Sequence, residues 1–170
     1  VTASTIATQY AFAADLLSVC EAALVATTGG AIGRAYVSPG LPALDCELIA
    51  VTCTGLMPKQ SNSMPAGRLA RDPSVNMLAF AVTVTRDCQP VVANQYGGPN
   101  APTVAQLQAA AQILSEDVWA IWNAIPAAAR TGALFEGRCS FLYLDQAFAL
   151  AEQGGIGGWQ IDVHTQIDGF

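Results

Sequence analysis

The chain has 170 residues and a mass of 17.6 kDa, a size that suits one domain and argues against two. With 52% apolar residues and only 12% charged, it is excluded from the disordered class, which needs low hydrophobicity and high charge. A net charge of -6 and a pI of 4.4 exclude a nucleic-acid binder held by a basic face. So apolar a chain with so few charges implies that other protein chains cover much of the folded surface. No run of about 18 uncharged residues with basic flanks is present to span a bilayer. Phe12 to Val25 is apolar, but Asp15 and Glu21 interrupt it, and the first cation is Arg34, too late for the positive start of a secretory signal.

In chain order, the first element reads as a helix from about Thr5 to Thr27. Phe12, Leu16, Val19, Cys20 and Ala23 recur at spacings of three and four, and Gly29-Gly30 supplies the stop. A short strand follows at Arg34 to Val37, closed by Ser38-Pro39-Gly40. Asp45 to Thr54 is rich in β-branched residues and reads as a central strand. Residues 55–74 dissolve into Pro, Gly, Ser, Asn and Met, a long structureless stretch of the kind that usually has a function. A strand from Asn76 to Asp87 puts Leu78, Phe80, Val82 and Val84 on one face and small or polar residues on the other. A second loop spans Gln89 to Pro102.

The clearest start signal belongs to the second helix, where Thr103 and Gln106 form a capping box. Leu107, Ala110, Leu114, Val118, Ile121 and Ile125 then make a stripe that Pro126 should end, with Trp119 and Trp122 flanking it. Leu107 and Leu114 are expected to be buried with the rest. Two strands close the chain, Arg138 to Leu150 and Gly158 to Asp168. In the last, Trp159, Ile161, Val163 and Ile167 face the core, and Gln160, Asp162, His164, Gln166 and Asp168 face water. The order α-β-β-β-α-β-β predicts an α+β fold over residues 1–170 as a single domain, a mostly antiparallel sheet with two main helices on one face.

Little in the chain suggests catalysis, and we expect neither an enzyme nor a cofactor. The only histidine, His164, has Asp162 and Gln166 as same-face neighbours and reads as an exposed structural residue. Glu116-Asp117 reads as a solvated or subunit-facing pair in mid-helix. Gly29-Gly30-Ala31-Ile32-Gly33 lacks the lysine and the strand-then-helix setting of a phosphate loop. The cysteines, Cys20, Cys46, Cys53, Cys88 and Cys139, are an odd, scattered set. They read as free buried thiols, with one bridge as the minority alternative, and Cys46 and Cys53 should point to opposite faces, which disfavours a shared metal.

Several segments together resemble the tail terminator and neck-region structural proteins of long-tailed actinobacteriophages. The resemblance is carried by Leu16-Leu17-Ser18-Val19-Cys20-Glu21-Ala22 in the first helix and the strand bounded by Cys46 and Cys53. It continues through the strand from Phe80 that runs into Arg86, Cys88, Pro90 and Val91, the helix opened by Pro102-Thr103, and Gly157-Gly158-Trp159 before the last strand. Residues 55–74 and 126–150 carry little of it. The resemblance implies a structural virion protein, a small α+β subunit of a ring, six copies in that family's pattern, that caps the tail tube. Its implied partners are further copies of itself, the tail tube protein and a neck, stopper or connector protein. Genomic DNA would pass through the lumen without specific binding, which an acidic lining suits, and no membrane is involved. The implied location is the tail–neck junction of the virion, after assembly in the host cytoplasm. A head-to-tail stopper or connector is the alternative within that class, and a small cytoplasmic enzyme is the one outside it.

One surface is singled out by charge. Lys59, Arg68 and Arg71 are three of only seven cations and lie in the 55–74 loop beside Met64. Methionine suits an adaptable contact, so Lys59, Met64, Arg68 and Arg71 are the expected interaction residues, facing an acidic neighbour.

Overall fold

The computed structural model describes residues 8–58, 75–86, 103–153 and 156–168. Two helices, α1 (Gln9–Val25) and α2 (Val104–Thr131), lie on one face of a five-stranded sheet. Its strands are β1 (Arg34–Ser38), β2 (Leu48–Pro58), β3 (Val75–Thr85), β4 (Cys139–Gln153) and β5 (Ile156–Asp168). They are ordered β1-β2-β3-β5-β4, with only β1 and β2 parallel. The α+β class and the element order are those read from the sequence.

The α1 helix begins later than Thr5, because the Thr8 side chain caps it and accepts a bond from the Ala11 N–H at 3.2 Å. Its buried stripe is Phe12, Ala13, Leu16, Leu17, Cys20 and Leu24, with Val19 only partly buried. The capping box at Thr103 and Gln106 is present in α2. Pro126, however, does not end that helix. A proline in a helix interior cannot donate to the carbonyl four residues back, but Ala127 to Ala129 favour the helix strongly. Ala128 and Ala129 also pack on the core. The end comes at Gly132, left-handed at φ 73°, with the Ala133 N–H bonded to the Ala128 carbonyl at 2.9 Å.

β2 starts three residues later and ends four residues later than the sequence suggests. Asp45 is drawn into a turn by Arg34 and by the Cys46 N–H, and Glu47 has φ 47°, which no strand residue adopts. At the far end Gly55 sits in a bulge opposite Ala79, and pairing continues to Pro58 opposite Asn76. Gly and Pro are both tolerated there, at a bulge and a strand end. Residues 55–58 therefore belong to the sheet, not to the loop.

One core holds the layers together. Phe12, Leu16, Leu24, Ile49, Phe80, Ile121, Ile125, Phe135 and Ile161 are all fully or almost fully buried in it. Phe135 sits edge-on to Phe12, with ring centroids 5.4 Å apart, and stacks over Phe80 at 6.2 Å. The backbone at this point is unusual, since Phe135, Glu136 and Gly137 all have positive φ, a left-handed turn. Each non-glycine residue there costs about 1–2 kcal/mol. The Phe135 ring and its N–H, which donates to the Asp15 carboxylate at 2.5 Å, hold the turn in place.

The N-terminal half of α2 is less buried than its stripe suggests. Leu107 and Leu114 are half-buried, whereas Val118, Ile121 and Ile125 are buried. The wet face expected for β5 is also only partly wet. Gln160 is buried, and Asp162, His164 and Gln166 are half-buried. Over β2 and β3 that same outer face is lined by Ala50, Ala81 and Thr83, all buried. The short 39–47 link crosses it, with the Thr52 hydroxyl donating to the Gly40 carbonyl at 3.1 Å and the Thr85 hydroxyl to that of Asp45.

Truncation of α2 should follow this gradient. Ile121→Ala is expected to cost about 2–5 kcal/mol, and Leu114→Ala clearly less. Urea melts of the two variants check this, and equal losses would place Leu114 in the core. At the turn, Glu136→Gly should leave stability unchanged or raise it by up to about 1 kcal/mol, because relief of strain outweighs the added chain entropy. A loss above about 1 kcal/mol in the same melts would show that the turn carries no strain.

Candidate interaction surface

The only deeply buried ion pair among the described residues is Arg86–Asp117, at 6% and 0% side-chain exposure. Arg86, just past β3, donates from Nε to Asp117 Oδ2 at 2.6 Å, from Nη1 to the Ala31 carbonyl at 3.3 Å, and from Nη2 to the Gly30 carbonyl. The Thr27 hydroxyl donates to Asp117 Oδ1 at 2.6 Å. A Cβ on Gly29 would come within 2.7 Å of the guanidinium, so a larger residue at that point of the turn would push Arg86 off its partners. Asp117 is thus not a solvated helix residue, as its sequence neighbourhood suggested. Its partner Glu116 does reach solvent, and bonds from Thr28 and Gln112 hold its carboxyl below the usual range.

Both carboxylate oxygens of Asp117 are engaged, and a cavity of about 290 Å³ lies beside the pair between Gly29, Glu47, Arg86 and α2. His164 is half-buried, not exposed. It stacks on Tyr143 with centroids 4.9 Å apart and 9° between planes, and its Nδ1 has no hydrogen-bond partner. Cys20, Cys46, Cys53 and Cys139 are free, and burial raises the pKa of the Cys20, Cys53 and Cys139 thiols, which blunts them as nucleophiles. Cys88 lies outside the described residues. No cluster of three or more His, Cys, Asp or Glu able to hold a metal occurs among the described residues.

The features that remain are surfaces. β4 is a sheet edge of 15 residues, and its only charged residues are Asp145 and Glu152. Bulges between Cys139 and Phe141 and between Leu144 and Gln146 shift its register against β5. Leu142, Leu144 and Ala147 therefore face the helices, and Phe141, Tyr143 and Phe148 face outward. Phe141 is 50% exposed and Tyr143 38%. On the helix side of this edge, Ser115, Val118, Trp119, Trp122, Ala147 and Trp159 line a groove of about 400 Å³. All three tryptophans of the chain meet there, and Trp119 is 67% exposed. The sequence showed Trp119 and Trp122 only as flanking a stripe. Their convergence with Trp159 depends on where α2 crosses β5, which no local pattern encodes.

The residues expected to make contacts, Lys59, Met64, Arg68 and Arg71, lie outside the described residues. Their flanks are placed, since Pro58 and Asn76 are register partners across β2 and β3. Among the described residues no helix is long and apolar enough to cross a membrane. No protein-family model matches the chain, and no curated protein matches it.

Breaking the buried pair from one side should be costly. Asp117→Asn leaves the Arg86 charge buried without a counter-ion and should cost about 3–5 kcal/mol, whereas Arg86→Met with Asp117→Leu should recover most of that loss. Denaturant melts of the single and double variants check this. A mild single variant would mean that water reaches the guanidinium.

Proposed function

We propose that this protein is the subunit of a structural ring at the tail–neck junction of a long-tailed phage, a tail terminator that caps the tail tube and joins it to the head. The observation that carries the reading is the β4 edge, 15 residues long, with the aromatic side chains of Phe141 and Tyr143 exposed on it. A long sheet edge is a template for association; bulges and the acids Asp145 and Glu152 interrupt this one, and between the first two bulges Phe141 and Tyr143 remain as exposed contact surface. The low charge fraction supports the same reading, as does the small α+β fold, the class that the resemblance drawn from the sequence implies.

In this role the subunit does mechanical rather than chemical work. Ring closure ends tube growth, because the face opposite the tube presents a different surface to the neck. The cationic segment with Lys59, Arg68 and Arg71 joins β2 to the central strand β3 and supplies positive charge to an acidic neighbour.

Electron microscopy of the purified chain should show rings of about six subunits, and a monodisperse monomer at all concentrations would overturn the proposal. Replacing residues 59–74 with a short Gly-Ser turn should leave the melting temperature nearly unchanged, since Pro58 and Asn76 are already side by side. The same change should abolish ring formation. Rings that form normally without the segment would remove it from the interface.

A further inference from the structure

The ring reading leaves open which surfaces meet, and charge divides the molecule along its strands. At one end of the sheet β2 stops and β3 and β4 begin, with Pro58 opposite Asn76 and Val75 opposite Asp168. The Arg138 carbonyl accepts the Asp168 N–H at 2.9 Å, which brings the chain that follows α2 to the same end. To this end belong Arg130 in the last turn of α2, Arg138, and the cationic segment with Lys59, Arg68 and Arg71. These are five of the seven cations of the chain, and they outnumber the acids there, Asp72, Glu136 and Asp168. At the other end β2 begins beside the close of β3, and the cations are Arg34 and Arg86. Each is already held by an acid of its own copy, Asp45 and Asp117. Glu47 and Glu116 have no cation against them among the described residues, and Glu152 lies at this same end of β4.

Resting on the ring reading, we infer that copies meet end to end along their strands, with a cationic side chain from the 59–74 segment of one copy seated against Glu47 of the next. The receiving surface suits such a group. Glu47 is exposed, and it lines the cavity of about 290 Å³ that is also lined by Ala109, Ala110 and Ile113 of α2. Lysine and arginine lay their aliphatic stems on an apolar wall of this kind and keep the charged head in polar surroundings. Arg86 lines the cavity too, but Asp117 already neutralises that guanidinium. Reach decides between the same copy and another. Glu47 and Pro58 are eleven residues apart along β2, roughly 36 Å at the rise of a strand. Arg68, the cation furthest from both anchors of the segment, is seven residues from Val75, a length that spans at most about 25 Å fully extended. The segment therefore falls short of its own Glu47 by more than an arginine side chain, and the carboxylate it meets belongs to another copy. A contact between unlike ends is head-to-tail, the kind that closes into rings, and opposite charge fixes which ends join. The exposed β4 edge runs along the side of this contact and stays open to the tube or the neck.

The test uses two variants of the full chain, Glu47→Lys and the double variant Arg68→Glu with Arg71→Glu. Each should melt as the wild type does, and mass is read by light scattering over a range of concentrations. Each variant alone should need at least about tenfold more protein to assemble than the wild type, because every junction then opposes like charges. An equimolar mixture of the two should recover wild-type assembly, since rings that alternate them pair opposite charges at every junction. Raising sodium chloride from about 0.1 M to about 1 M shortens the screening length from about 10 Å to about 3 Å and should weaken wild-type assembly as well. Normal assembly by either variant alone, or a mixture no better than its components, would overturn the inference and leave the ring reading standing. Wild-type rings indifferent to salt would do the same, whatever the variants do. A wild type that stays monomeric at all concentrations overturns both.

Discussion

The guanidinium of Arg86 ties its own strand end to two other parts of the chain that are distant in sequence. It leaves the end of β3, takes the Gly30 and Ala31 carbonyls after α1, and binds the carboxylate of Asp117 at the middle of α2. A planar fork of donors can satisfy such a set only in one arrangement, so the pair fixes the rotation of α2 about its own axis. With Asp117 turned inward, Val118, Ile121 and Ile125 face the core. Trp119, two residues on, is carried about 200° around the helix and out to the surface. The exposed tryptophan groove is thus a consequence of the buried pair. Its role is better described as register than as net stability, because a buried pair replaced by well-packed apolar residues is often no less stable.

The opposite end of the core is fixed by a different device. Asp15, which interrupts the apolar stripe of α1, accepts the Phe135 N–H and so holds a left-handed turn that places Phe135 between Phe12 and Phe80. Arg138 lies over the Phe12 ring, its guanidinium carbon 5.3 Å from the centroid. Two acids that look misplaced in apolar helices, Asp15 and Asp117, each tie a helix to a loop that must bend sharply. Both loops contain the residues that a regular element cannot accommodate, Gly29 and Gly30 in one and Phe135 to Gly137 in the other.

Much of this architecture can be read locally. The capping box of α2, the alternation of β5 and the order of elements rest on contacts within a few residues, and they are present as the sequence implies. Extents misled where a breaker residue is tolerated by its surroundings, as Pro126 is within α2 and Gly55 at the β2 bulge. Asp117 was the harder case. Beside Glu116 it resembles a solvated pair, yet it lies four residues before Ile121 and eight before Ile125, on the same helical face. That spacing is a usable sign of burial. The stacking of His164 on Tyr143 and the meeting of the three tryptophans had no such sign, because each depends on strand register or helix crossing between distant segments. Irregularities in β4 shift that register three times, so even a correct strand assignment does not give the faces.

The strand order β1-β2-β3-β5-β4 also bears on how the chain reaches its native state. β2 pairs with β3 and β4 with β5 as neighbours in sequence, but the seam between β3 and β5 joins residues as far apart as Val75 and Asp168. Closing a loop of that length is an entropic barrier met before its contacts form. Two half-sheets, each with an apolar face, must therefore find one another while α2 and its aspartate, set in the chain between them, move into place. Until they dock, β3 and β5 are themselves unpaired edges, and newly made chains at high concentration are exposed to pairing with the wrong copy. The step that completes the sheet carries the longest loop closure among its strand pairs.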